Sequence, residues 1–243
     1  MEKNQLLLIV RMEWMKTCCR MNLFFSIAMF MLLVLQVGVL VRVELSGEGD
    51  EMMVMAEPEI IFQYAGRYIS NLAFTFMPLM LLINIGREFD FAVVQRSLVS
   101  GINRKEFFAG KTFQLAIFSM AVVVFAIVFR LLAAAMYSVP VIWDLKELVM
   151  YGLVASCLGS LALMVVFMVK KRFYALAVFM GYALLENTFS AIMSGRMMYL
   201  PFQTCIGMLR RGNESLPDFV ALGVYTAVFN IVAWKVFRRS DLR

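Results

Sequence analysis

The stretch Arg87–Lys111, REFDFAVVQRSLVSGINRKEFFAGK, is a long charged segment between two segments that are almost wholly apolar. From Glu88 to Val99 it spaces Phe91, Val94 and Leu98 three and four apart, with Glu88, Asp90, Gln95 and Arg96 among them. That is the pattern of a short amphipathic helix. Ser100-Gly101 breaks the helical run. Asn103, with Glu106 three residues later, can cap a new helix just before a long apolar run begins. The expected unit is helix, tight turn, capped helix entering a bilayer.

The rest of the chain has the composition such a unit needs. Of 243 residues, 62% are hydrophobic and 16% charged, with a mean hydropathy of +0.80. Soluble domains are nearer 45–50% apolar and about 25% charged. An all-α integral membrane protein follows. No stretch outside the apolar runs is long enough to bury a core of its own, so a single membrane domain over residues 1–243 is expected. The four cysteines, Cys18, Cys19, Cys157 and Cys205, form no CxxC pair, and neither a disulfide framework nor a cysteine metal site is expected.

Outward from residues 87–111, six spans are predicted. Residues 1–20 carry Leu6 to Val10 and then Arg11, Glu13, Lys16 and Arg20, too short and too soon charged to cross. An interfacial helix fits them, and no small-x-small cleavage site points to a signal peptide. The first span is residues 21–41. An acidic loop without Lys or Arg follows from Glu44 to Glu59. The second span, 60–86, contains Pro78, a kink site. The remaining spans are 112–137, 148–169, 173–194 and 218–234. Between the last two, residues 195–217 are mildly apolar in the middle, a segment that lies along or dips into the outer surface.

Charge sets the orientation. Six spans put both ends and the 87–111 loop on one side. That side collects Lys3, Arg11, Lys16 and Arg20; Arg87, Arg96, Arg104, Lys105 and Lys111; Lys170, Lys171 and Arg172; and Lys235, Arg238, Arg239 and Arg243, most of the 23 basic residues. By the positive-inside rule it is the cytoplasmic side.

Covalent chemistry has little to stand on. The chain has no histidine, which removes Ser-His-Asp and Cys-His catalysis and His-based zinc sites. Gly110-Lys111-Thr112 imitates the end of a P-loop, but Lys105 stands where that loop needs glycine. Charges inside spans are expensive and therefore candidates for function, which singles out Arg67, Arg130 and Glu186. Arg130 lies about 27 Å along the third span and Glu186 about 20 Å along the fifth, both in the outer half. Arg67 and Arg130 suit snorkelling to the interface. Glu186 suits capping of a helix break, pairing with a basic residue, or contact with a substrate. Gly152, Ser156 and Ser160 repeat every four residues, the small-residue pattern of close helix approach, within the chain or in a dimer.

The run Ser100–Lys111, SGINRKEFFAGK, following a Glu-bearing amphipathic helix, resembles the cytoplasmic loop of ABC-2 type transporter permeases. The chain end Phe237–Leu242, FRRSDL, is similar to the aromatic, basic, Asp-hydrophobic ending common in that family, and residues 1–20 match its elbow helix. The resemblance implies the membrane subunit of an ATP-driven exporter in the cytoplasmic membrane of a prokaryote. The chain would not be an enzyme: it would bind no cofactor, and ATP and magnesium would sit on a separate ABC ATP-binding subunit. The other partners are a second permease copy, identical or related, and membrane lipids; no nucleic acid is implied. The loop would be the coupling helix that docks on the ATPase, through Glu88, Phe91, Arg96, Leu98, Arg104 and Lys105, while Arg130 and Glu186 would lie along the substrate path. Hydrophobic or amphipathic peptides, lipids or drugs suit so apolar a permease. The other reading of the residues is an ATP-independent polytopic membrane protein, a small secondary transporter or an assembly scaffold.

Overall fold

The computed structural model describes residues 77–137, 145–192, 200–211 and 216–240. The interfacial helix, the first span, the acidic loop, most of the second span and Arg67 lie outside them. The described residues form seven α-helices and no strand: α1 Met77–Asp90, α2 Val93–Val99, α3 Arg104–Tyr137, α4 Leu145–Val169, α5 Arg172–Ile192, α6 Pro201–Arg211 and α7 Leu216–Arg239.

Three of these are long and apolar enough to cross a membrane: Arg104–Leu132 within α3, Leu145–Val169 and Leu216–Arg239. Helix α3 starts eight residues before the predicted span because its cap lies at Asn103, so its first two turns carry the charged residues of the loop. Helix α4 starts three residues early and takes Glu147 into its first turn. Helix α5 matches the predicted fifth span in position, but with Arg172, Glu186 and Asn187 it is not among those three.

The core is organised around α4, which touches α1, α3, α5, α6 and α7. Its apolar residues are buried on every side, Val154, Ala155, Leu158, Ala162 and Val166 all to full depth, so it shows no single apolar stripe. Lipid tails are as apolar as these side chains, and close contact rather than escape from water must hold the helices together. Small residues allow it. Ser160 accepts a hydrogen bond from Asn230 Nδ2 on α7 at 2.8 Å, so the predicted small-residue stripe serves packing inside the chain at this position. Helix α7 buries Leu222, Ala233 and Phe237 and leaves Val220, Val224, Val228 and Ile231 exposed, a face fit for lipid.

Helix α6 occupies the 195–217 segment. Pro201 opens it, where a missing N–H costs nothing. Phe202, Cys205 and Met208, three apart, are buried against the bundle.

Candidate functional site

The 87–111 stretch folds as a compact reversal at one end of the bundle. Helix α1 runs through Glu88 to Asp90. Ala92 then adopts a left-handed conformation, φ 55°, and α2 starts at Val93. The predicted Glu88–Val99 helix is therefore two helices, because the apolar spacing continues across a break that alanine does not announce. Helix α2 closes in a Schellman motif: Ile102 N–H donates to Ser97 O and Gly101 N–H to Leu98 O, each at 3.2 Å, with Gly101 at φ 97°. Glu106 then reaches back, its Oε2 accepting from Asn103 N–H at 3.1 Å, the second half of a capping box. The tight turn and the capped helix stand as expected.

The predicted coupling residues divide into two groups. Glu88 is buried in an ion pair with Lys111, 2.6 Å from Oε2 to Nζ, and the Lys111 ammonium sits 5.1 Å from the centre of the Phe107 ring. Arg104 points into the bundle end: Nη1 donates to Phe237 O at 3.1 Å, Arg238 O at 2.8 Å and Ser240 O at 3.0 Å. A guanidinium thus satisfies carbonyls that the last turn of α7 leaves without helical partners, at the end of the helix dipole that favours a cation. These two side chains hold the chain to itself. Leu98 is half-buried and packs with fully buried Val94 against the core, so the apolar face expected to need a partner is covered by the protein. What this end turns outward is Phe91, 63% exposed in the α1–α2 turn, then Arg96 and Val99, 88% exposed, on α2, with Lys105 just beyond the next turn.

Aromatic rings fasten this end. Phe167 of α4 contacts Phe89 of α1 at 5.6 Å, Phe108 of α3 at 5.7 Å and Phe237 of α7 at 4.8 Å between centroids. Phe108 also meets Trp234 at 5.3 Å. Asp90 ties the start of α5, its Oδ2 3.1 Å from Arg172 Nε. Beneath that pair Gly86 admits the α5 backbone: a Cβ at 86 would lie 2.5 Å from Arg172 Cβ and 2.8 Å from its Cα. Every described helix that begins or ends here is joined to α2 or to its neighbours.

The two intramembrane charges lie toward the opposite end. Arg130 is 2% exposed and forms an ion pair with Glu147 across the α3–α4 hairpin, and Tyr151 donates its hydroxyl to the same carboxylate. It is held inside the bundle where snorkelling was expected. Glu186 is 3% exposed. Its Oε1 accepts the Gln203 N–H at 2.8 Å, so it caps α6 from across the gap, one of the roles open to it in the sequence. Its Oε2 is buried without a hydrogen-bond partner. Beside it Tyr182, Leu185, Glu186, Phe189 and Leu200 line a cavity of about 360 Å³ that opens at the protein surface.

Several members of these clusters escaped sequence reasoning. Lys111 had a signal, a Lys in the third turn of an apolar helix, where a charge needs a partner. The Asp90–Arg172 and Arg130–Glu147 pairs join residues 82 and 17 positions apart, and nothing local announces them. Among the described residues no group of acidic or cysteine side chains could hold a metal ion.

No curated protein matches the sequence. Residues 52–243 match the model of a family described as protein of unknown function, DUF2705. With more than three quarters of its length matched, and with both the loop and the chain end inside the match, the chain belongs to the DUF2705 family.

Proposed function

We propose that the chain is the permease subunit of an ATP-driven exporter of the ABC-2 type, with six spans, both termini in the cytoplasm, and a separate ATP-binding subunit docked on α2. The observation that carries this reading is the build of the α1–α2–α3 reversal. A seven-residue helix too short to cross a membrane is fixed at the bundle end by a Schellman motif, followed by the Glu106 carboxylate on the Asn103 amide. Its inner face is fused to the core, and Phe91 and Val99 are left outside among Arg96 and Lys105. Exposed apolar side chains on a rigid, basic-rimmed helix suit a protein groove. Because α2 packs on α1, and α1 in turn on α3, α4 and α5, a push on it would reach three long helices through α1. The two ends of this lever are the ATPase groove and the transport path between two permease copies. Substrate would be hydrophobic or amphipathic, and no covalent chemistry is assigned to this chain.

The test is co-expression with an ATP-binding cassette subunit encoded by a neighbouring gene, followed by pull-down on the tagged permease in mild detergent. Phe91→Asp with Arg96→Glu changes only outward side chains and should release the ATPase while the permease still elutes as a single folded species. Retention of the ATPase by that variant, or no ATPase with the wild type under any nucleotide condition, would turn the assignment to an ATP-independent membrane protein.

A further inference from the structure

The cavity beside Glu186 has the makings of a ligand site. Its walls are the rings of Tyr182 and Phe189 and the aliphatic chains of Leu185 and Leu200, and Glu186 is the one acidic residue among them. Oε1 of the carboxylate holds the α6 amide of Gln203 at 2.8 Å, and the Tyr182 hydroxyl and the Phe202 amide also lie against the carboxylate. Oε2 is buried with no hydrogen-bond partner. The ion pairs found among the described residues are Lys111–Glu88, Arg130–Glu147 and Arg172–Asp90, so no described Lys or Arg neutralises Glu186. A carboxylate left so in a low-dielectric interior is costly unless a proton or a cation neutralises it. Capping α6 explains one oxygen; a Ser or Asn would cap it without bringing a charge. The cavity volume is at the lower end of the range for small-molecule sites, and aromatic faces beside a carboxylate favour a cation with an apolar body.

We propose that this cavity binds a hydrophobic monovalent cation, an amphipathic ammonium or phosphonium ion, whose charge is met by Glu186 and whose body lies against Tyr182, Leu185 and Phe189. The ligand counts as a transport substrate only on the exporter reading above; the binding itself does not depend on it.

The probe is tritiated tetraphenylphosphonium, measured by equilibrium binding to the full-length chain in lipid nanodiscs with no ATPase present. Saturable binding at one site per chain is expected. Triphenylphosphine oxide, similar in shape and neutral, should not displace the probe. Glu186→Gln keeps an oxygen to accept the Gln203 amide and loses the charge, and should weaken binding at least tenfold. Leu185→Trp narrows the cavity without touching the carboxylate and should weaken it severalfold, which keeps the test intact if the Gln variant fails to fold. No saturable site in the wild type, wild-type affinity in folded Glu186→Gln, or equal displacement by the neutral oxide would each overturn the proposal. Failure here would leave the ATPase pull-down untouched, and a chain that binds the cation but never retains an ATPase would keep the site and lose the exporter.

Discussion

Arg104 shows how a side chain can look like a surface contact in sequence and be a structural bolt in space. In the run Asn103-Arg104-Lys105-Glu106 it stands beside an exposed lysine, at the first turn of a helix, in a loop rich in positive charge. Its guanidinium nevertheless spans three carbonyls of the α7 terminus, more than 130 residues away. Hydrogen bonds to a charged group contribute about 1.5–3 kcal/mol, and stripping the donor takes it from the Arg238 and Ser240 carbonyls, while Phe237 O keeps the Ser240 hydroxyl. Arg104→Ala should therefore lower the thermal midpoint of the detergent-solubilised chain by several degrees, with Arg104→Lys between the two, since a lysine keeps the charge but its shorter side chain stops short of the Nη1 position that meets all three carbonyls. Lys105→Ala, one residue along and exposed, should leave the midpoint where it is. An unchanged midpoint in Arg104→Ala would return Arg104 to the list of partner contacts. Glu88 follows the same logic by another route: its buried pairing with Lys111 fixes α1 against α3, and breaking such a pair on one side leaves an uncompensated charge in the core.

At the level of elements, local chemistry was readable and long-range pairing was not. Ser100-Gly101 and the Asn103…Glu106 spacing specify their turn and cap through bonds that reach no further than five residues, and both are present. The apolar runs behind α3, α4 and α7 are likewise visible as hydropathy alone. The break at Ala92 was hidden, because what holds the end of α1 is tertiary: the Asp90–Arg172 pair and the Phe89–Phe167 edge contact. The outward face of α2 was misjudged for the same reason. Periodicity marked Phe91, Val94 and Leu98 as one face, and only the fold shows that Val94 and Leu98 are already covered while Phe91 is not. Gly86 belongs with these hidden features. In sequence it is a glycine near the end of an apolar helix; in space it lets the α5 backbone come within side-chain distance of α1. Leu at that position would collide with Arg172 Cα and Cβ, which backbone neighbours cannot yield, so α1 and α5 must separate. Overpacking of this kind costs about 1–3 kcal/mol or more. Gly86→Leu should expose the Asp90–Arg172 pair and lower both the thermal midpoint and the yield of monodisperse protein, whereas Gly181→Leu, where an added Cβ meets nothing within 4 Å, should do neither. Equal behaviour of the two variants would mean that the close approach of α1 and α5 is not needed.

For the whole molecule, the contacts fix which loops share a side even before charge is considered. Arg104 touches residues 237–240, so the α2–α3 turn and the end of α7 lie together. Asp90 touches Arg172, which brings the α4–α5 turn to the same end. The Arg130–Glu147 pair closes the α3–α4 hairpin at the far end, and Glu186 joins α5 to α6 away from the basic turns. Helix α5 must therefore run between the same two ends as α4, although it is less apolar: its 21 residues extend about 31 Å at 1.5 Å per residue, the thickness of a hydrocarbon core. Its Glu186 is covered from inside, buried against α6, whereas Asn187 and Thr188 are exposed. The direction proposed above rests on the basic residues, which crowd the end holding Arg104, Lys170, Lys171, Arg238 and Arg239. Single cysteines at Lys105 and Ser240 should react with a membrane-impermeant maleimide only after intact cells are opened, and single cysteines at Leu145 and Leu216, both exposed at the far ends of their helices, should react in intact cells. A background lacking Cys18 and Cys19 serves, since Cys157 and Cys205 are buried. Reaction of Lys105 and Ser240 cysteines from opposite sides would contradict the Arg104 contacts themselves. A reversed pattern with the pairs kept together would preserve the fold, and would place α2 outside the cell, where no ATP-binding subunit could reach it.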